Sequence, residues 1–239
     1  MDNEACISIY NIPEGSATPP SDYKLTPALE IGLPKTAGQT NQIKATNVVW
    51  LNLNEALFVT FDDGSIRLYD PVSGDLLDTL IAHTKKVIRV SFNITKTLFV
   101  TSSADFTSKL YDAVSLQHLK TYVTDRPVNA AVIHPTKEHV LLGGGQEAMS
   151  VTTTSGRSGK FETKFFHLVY EEEFGIVTGH FGPINALAVS PDGLSFCSGA
   201  EDGYIRLHFF DESYLRMKDL VTEDGEDEKV EGAVVEGAQ

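Results

Sequence analysis

The chain has 239 residues, 41% hydrophobic and 22% charged, a composition that describes a soluble globular protein with a sizeable core. Its formal net charge of −14 argues against a nonspecific grip on nucleic acid through phosphate neutralisation. No apolar run is long enough for a transmembrane helix, and the acidic start MDNEACISIY lacks the basic and apolar regions of a signal peptide. The two cysteines, Cys6 and Cys197, point to a reducing, intracellular compartment, with Cys197 in a strand that reads as core.

Residues 5–11 alternate apolar and polar and predict a strand, residues 12–27 a loop, and Ala28–Pro34 a second short strand. From about residue 43 a fuller pattern begins. Asn47–Asn52, Ala56–Phe61, Ser65–Asp70 and Leu76–His83 predict four strands, with a tight turn at Asp62-Asp63-Gly64 because Asp-Gly supplies the positive φ such turns need. A second unit follows: Val87–Phe92, Thr97–Ser103, Ser108–Asp112 and His118–Asp125.

A third unit opens at Val128. Its stretch VNAAVIHPTKEHVLLGGG matches INALAVSPDGLSFCSGA with Val128 opposite Ile184 and Pro135 opposite Pro191. Its third strand is delayed by an insertion over 147–160 and is expected over Phe161–Glu173. The last unit runs from His180 to about Asp211, and Tyr214–Met217 is the only candidate for its outermost strand. Residues 219–236 hold eight acids and no aromatic residue, so the tail is expected to be disordered, either as a solubilising tail or as a docking tail for a basic partner.

Self-similarity at about 40 residues per unit, with four short strands each, is the signature of propeller blades. The expected fold is all-β, a partial WD40 β-propeller. It divides into half a blade over 1–42, blades over about 43–83, 84–125, 126–180 and 181–217, and the acidic tail over 218–239. Either the incomplete first and last blades meet to close a five-bladed ring, or N-terminal blades are missing. The second is favoured, and exposed sheet edges then predict aggregation without a partner.

His83, Thr101, Asp105 and Tyr111 recur at the same spacing as His180, Ser198, Asp202 and His208. A histidine, a hydroxyl and an acid suggest a hydrolase triad. A triad does not come twice at one spacing, however, and in WD40 blades these positions form a hydrogen-bond chain that fixes the blade when all its members are satisfied. The third unit has Thr124 and Gln146 where the others have histidine and aspartate. Gly143-Gly144-Gly145 lacks the following Lys-Ser/Thr of a phosphate loop and is read as a close strand approach or a turn. Glu171-Glu172-Glu173 is read as a solvated strand end, and the histidines show no metal-ligand spacing. No catalytic residue, metal or cofactor is expected.

The segments GGGQEAMSVTTT (Gly143–Thr154), GKFETKFFH (Gly159–His167), EEEFGIVTGHFGPIN (Glu171–Asn185) and GAEDGYIRLHFFD (Gly199–Asp211) are individual. With them the chain resembles, over about residues 5–217, the WD40-propeller i subunit of eukaryotic translation initiation factor 3, a family also described as TGF-β-receptor-interacting WD proteins. The resemblance implies a seven-bladed parent, of which this chain starts in the third strand of blade three and spans about four and a half blades.

The resemblance also implies a cytoplasmic, non-catalytic scaffold. It would bind the C-terminal helical segment of the b subunit, associate with the g subunit, and join preinitiation complexes on the small ribosomal subunit, aiding mRNA recruitment. Acidic rim residues carry part of the contact that the family makes with the b subunit. Asp112 stands at one such position, and Thr95 stands where the other acid is expected. The competing reading is another WD40 adaptor, in signalling or ubiquitin ligase targeting, which co-sedimentation with small ribosomal subunits separates from the first.

Overall fold

Alternating apolar residues and short polar turns resolve into strands throughout. The computed structural model describes residues 6–11, 26–34, 42–51, 54–145 and 161–217. The expected insertion over 147–160 and the tail over 218–239 lie outside them, as does most of the expected loop over 12–27. The chain divides into two compact units, Met1–Thr84 and Lys85–Gln239.

In the first unit β1 (Cys6–Ile9) pairs antiparallel with β2 (Leu29–Gly32). A four-stranded antiparallel sheet follows: β3 (Ala45–Trp50), β4 (Leu57–Phe61), β5 (Ser65–Tyr69) and β6 (Leu76–Ile81), in chain order. Strand β4, LFVTF, is buried along its whole length, as its unbroken run of large, β-favouring side chains requires. Leu57, Val59 and Phe61 share a core with Ile31, Leu33, Ile43 and Tyr69, and Ile7, Ile9 and Leu29 pack against it.

The second unit holds two more four-stranded antiparallel sheets and one of three strands. The first contains β7 (Val87–Phe92), β8 (Leu98–Ser103), β9 (Thr107–Asp112) and β10 (His118–Val123). The next contains β11 (Val128–Ile133), β12 (His139–Gly144), β13 (Phe161–His167) and β14 (Glu173–His180). The last has β15 (Ile184–Val189), β16 (Ser195–Ala200) and β17 (Ile205–Phe209). The innermost strand β11 lies between β7 and β15. The chain is thus all-β, with consecutive meandering sheets of the kind that form WD40 blades.

Two cores weld these sheets together. Val100, Leu110 and Tyr122 of one sheet meet Val128, Ala131, Val140, Leu142 and Phe166 of the next. Leu141, Phe165 and Val177 then meet Phe196, Phe210 and Tyr214. A fully buried phenylalanine in such a seam contributes about 2–3 kcal/mol. Each innermost strand also carries a bulge at the same place, at Thr46, Ile88, Asn129 and Asn185, where the register to the second strand slips by one residue. Such a bulge bends a strand and raises its twist.

Three expectations need correction. Phe161–Glu173 is not one strand: β13 stops at His167, the chain turns, and β14 starts at Glu173 as the outermost strand. Tyr214–Met217 supplies no strand, because Glu212–Arg216 forms a short helix, α1. Asp211 caps it through Oδ1, which accepts from the backbone N–H of Tyr214 at 2.7 Å and from the Ser213 hydroxyl at 2.8 Å. Cys197 is half-buried rather than a core residue, like the exposed Leu207 it pairs with in β17.

One turn is strained. Gly64 and Gly203 take φ of 86° and 82° after the turn aspartates, but at the equivalent place Phe106 takes 71°. A side chain in this region costs about 1 kcal/mol relative to glycine. The Phe106 ring is 41% exposed, so little packing is lost with it. Phe106→Gly is expected to raise stability by up to about 1 kcal/mol, read as a higher urea midpoint with an unchanged slope.

Candidate functional site

The recurring histidine set is best displayed in the last sheet. His180 ends β14, Ser198 sits in β16, Asp202 in the following turn and His208 in β17. His180 Nδ1 lies 2.9 Å from Asp202 Oδ2, its Nε2 lies 2.8 Å from Ser198 Oγ, and Ser198 Oγ lies 3.5 Å from His208 Nε2. An ionised carboxylate only accepts, so Nδ1 of His180 carries the proton and Nε2 accepts from the Ser198 hydroxyl. The serine oxygen then faces the N–H of His208 Nε2, which leaves Nδ1 of His208 as a buried acceptor without a partner among the described residues.

Burial alone would raise the Asp202 pKa. The backbone N–H groups of Phe181 and Tyr204, each at 3.0 Å, and the His180 ring outweigh it and hold the carboxyl at about 2. Burial lowers the His208 pKa, with His180 and Arg206 adding to it. The order Asp–His–Ser is that of a hydrolase, but Ser198 is 1% exposed and lies next to the stacked rings of Phe196 and His208, 4.6 Å apart. No substrate carbonyl reaches a hydroxyl so enclosed. What the set does is tie the loop before β15 to the turn before β17.

The other set is divided between the two units. His83 follows β6 in the first unit, is buried, and donates its backbone N–H to the Gly64 carbonyl at 3.1 Å. In the second unit the Thr101 hydroxyl donates to the Lys109 carbonyl at 3.2 Å. Asp105 Oδ1 accepts from the Thr107 backbone at 3.1 Å and from its hydroxyl at 2.6 Å. Tyr111 stacks on Phe99 at 5.1 Å, and burial, with the charge of Asp105, pushes its pKa up to about 12.

The strand registers show how the set is distributed. The position held by Thr101 and Ser198 is Leu142 in the sheet of β11–β14, and the position held by Tyr111 and His208 is Phe166. That sheet has Thr124 in place of histidine, and both Leu142 and Phe166 are buried. The hydroxyl is present where a histidine precedes it and gives way to an aliphatic where none does. A buried polar network is favourable only when complete.

Asp112 ends β9. Its Oδ1 accepts from the backbone N–H of Val114 at 3.1 Å, and from the N–H and hydroxyl of Ser115 at 2.7 and 2.8 Å. These bonds, led by the Ser115 N–H, hold its carboxyl below the usual range. Asp70 does the same in the first unit, accepting from Val72 and Ser73 at 2.7 and 3.1 Å. Asp112 therefore closes a turn whatever else it does. Thr95 lies in the turn between β7 and β8, with its hydroxyl 2.9 Å from that of Thr97. The N–H of Ala113 donates to the Thr97 carbonyl at 2.8 Å, so the two turns sit at one end of the sheet.

The glycine run allows a close approach. A Cβ on Gly143 would meet Ile184 Cγ2 at 2.7 Å, and one on Gly144 would collide with the Pro127 carbonyl oxygen. Glu173 pairs with Lys164 at 2.9 Å and Glu171 with Lys120 at 3.6 Å, so both outer members of the acidic run have partners. Among the described residues no group of His, Cys, Asp and Glu converges on a metal site, and no helix is long and apolar enough to cross a membrane.

Three joints had no expectation. Asn129 Nδ2 donates to Asn185 Oδ1 at 2.8 Å, from bulge to bulge across two sheets. The Tyr122 hydroxyl donates to the Leu168 carbonyl at 2.8 Å, again between sheets. His139 Nδ1 and the Tyr214 hydroxyl share a buried bond of 2.9 Å. The Asp-Glu-Ser of the α1 cap was the available signal for the last.

The EIF3I family model matches residues 2–219. Relatives named eukaryotic translation initiation factor 3 subunit I include one from Xenopus tropicalis, 51% identical over 175 residues, which are 73% of this chain and 54% of the relative. One from Rattus norvegicus and one from Homo sapiens are each 49% identical over 178 residues, 74% of this chain and 55% of theirs. The chain thus spans about half the length of the curated relatives it matches.

Proposed function

The chain belongs to the EIF3I family, and from that premise we propose that it is a non-catalytic scaffold within eukaryotic translation initiation factor 3 in the cytoplasm. In this reading it binds the b and g subunits, and through them contributes to preinitiation assembly and mRNA recruitment at the small ribosomal subunit. The observation that carries the reading is the family match along nearly the whole described chain, to relatives that are named as subunits of that factor. The enclosed, recurring histidine sets support a scaffold too, since they stiffen sheets and leave the outer surfaces for partners.

Asp112 is the residue assigned to contact with the b subunit. All three of its bonds end on Oδ1, and no described residue bonds to Oδ2. A carboxylate kept ionised at an exposed turn steers a basic helix and sets its register more than it adds affinity. Because Asn keeps the Oδ1 acceptor, Asp112→Asn removes charge and spares the turn. It is expected to weaken capture of the C-terminal segment of the b subunit about fivefold, the modest effect of a solvent-screened ionic contact, with Asp112→Lys weakening it further. Asp70→Asn, in the equivalent turn, is expected to change nothing. Equal binding by Asp112→Lys removes the site assignment. Failure of the unsubstituted chain to bind the segment removes the proposed function for this chain.

A further inference from the structure

Phe106 holds a left-handed backbone, φ 71°, where the equivalent turns have Gly64 and Gly203, and its ring is exposed. The turn is clamped, because the Phe106 carbonyl accepts from the Thr124 N–H and from the Thr124 hydroxyl, each at 2.9 Å. Packing does not explain why a ring is kept there. Strain retained at a side chain that buries little points to a use outside the core.

The ring is surrounded by positive charge. Lys85 Nζ lies 5.4 Å from its centroid. The Lys86 carbonyl accepts from the Ala104 N–H at 3.2 Å and from the Ser103 hydroxyl at 2.9 Å, so the loop before β7 and the Phe106 turn share one end of the sheet. Lys85, Lys86 and Arg89 are all exposed. None of the three forms an ion pair among the described residues, whereas Lys120, Arg126, Lys164 and Arg216 all do. The nearby carboxylates are engaged, Asp105 by Thr107 and Asp125 by Arg126 and Lys164. Three unmatched cations beside an open ring, in a chain of net charge −14, suit an acidic segment that also carries apolar side chains.

The chain itself contains one. Residues 219–236 hold eight acids, and Val221 and Val230 flank the densest run of them. The chain leads into this segment at Met217, whose carbonyl accepts from Lys137 Nζ at 2.8 Å. Lys137 lies in the turn after β11, at the opposite end of the sheets from Phe106. The path back follows about 20 Å of strand and crosses one sheet. Residues 218–236 span up to about 65 Å when extended, which is ample. Tethering also raises the local concentration of the segment to roughly the millimolar range, where a weak ionic contact is occupied.

We propose that the acidic segment 219–236 docks on Lys85, Lys86 and Arg89 of its own chain, with one of its valines against the Phe106 ring. Docked, it keeps other anionic partners off that end of the sheet.

Lysine acetylation read by peptide mass spectrometry tests this. Lys85 and Lys86 are expected to react about threefold faster once residues 218–239 are removed, with Lys96, at the other end of the sheet, unchanged. The difference is expected to vanish in about 1 M salt, where the screening length is about 3 Å. A synthetic peptide of residues 219–236 restores the protection of the shortened chain, and the same peptide with its acids replaced by amides does not. Phe106→Gly keeps every charge and is expected to weaken the protection in the full chain. Carbodiimide coupling of the unsubstituted full chain, which joins amines to touching carboxylates, is expected to link Lys85 or Lys86 to the segment, and it holds even should the shortened chain not fold. Equal reactivity with and without the segment overturns the proposal, as do links from the segment to lysines elsewhere. So does protection that falls on dilution, which indicates the segment of a second copy, or protection restored by oligo-uridine and not by the peptide, which indicates nucleic acid. Undiminished protection in Phe106→Gly overturns the part given to the ring.

Discussion

Ser198→Leu alone is expected to destabilise the second unit by about 2–3 kcal/mol, while the triple change His180→Thr, Ser198→Leu, His208→Phe recovers most of that loss. The single substitution strips His180 Nε2 of its 2.8 Å partner and forces a larger side chain between two buried rings. An orphaned buried polar group costs about 1–3 kcal/mol, and overpacking adds to it. The triple variant reproduces Thr124, Leu142 and Phe166, the set already present in the neighbouring sheet. Asp202 is kept, because it also holds the backbones of Phe181 and Tyr204. Thermal unfolding followed by far-UV circular dichroism measures both variants. A triple variant no more stable than the single one would show that the network is not exchanged as a unit. Trp50, the sole tryptophan, lies in the first unit, so its fluorescence is the wrong probe for this experiment.

Tyr214→Ala is expected to cost about 3–5 kcal/mol, the range for deleting a fully buried aromatic, although α1 is only five residues long. The ring is 1% exposed, stacks on Phe210 at 4.2 Å and satisfies His139. Tyr214→Phe keeps the packing and is expected to cost about 1–2 kcal/mol, through the unsatisfied His139 nitrogen. A pH signature accompanies these losses. Burial, with His167, His134 and Lys137 nearby, lowers the His139 pKa to about 3. The folded state holds this ring neutral, and the unfolded chain takes up a proton below about 6.5. Its contribution is full above pH 6.5 and is lost as pH falls toward about 3, on the order of 5 kcal/mol at the full extent. With Tyr214→Ala water reaches the ring, its pKa moves back toward the ordinary value, and stability falls less steeply with pH across that window. An unchanged slope would mean that Tyr214 does not seal His139.

The sheets could be read from the chain where side chains alternate and turns announce themselves. Val87–Phe92 forms a strand over its predicted range, because VIRVSF has a clear period of two. Strand β14 was hidden for the opposite reason. Its EFGIVTGH contains two glycines, one of them at φ 144°, and irregular pairing with β13 breaks the alternation. Helix α1 is too short for a 3.6-residue period to appear, and only its cap could have been noticed. The recurrence of His180, Ser198, Asp202 and His208 is visible because repetition is a property of sequence. The Asn129–Asn185 clasp is not, since Thr46 and Ile88 occupy the equivalent bulges. Nor is the Tyr122 bond, whose acceptor is a backbone carbonyl that any residue would supply.

Hairpin register has a practical corollary. Thr60 pairs with Ile66, Ser102 with Ser108 and Gly199 with Ile205, whereas Gly143 pairs with Thr163 across a far longer connection. The ladder on either side is the same in kind despite that difference. Closing the longer loop costs only about 1 kcal/mol more by chain entropy. The tips between β4 and β5 and between β8 and β9 should therefore accept grafted cargo, such as an epitope or a reporter domain, provided both stems keep their partners.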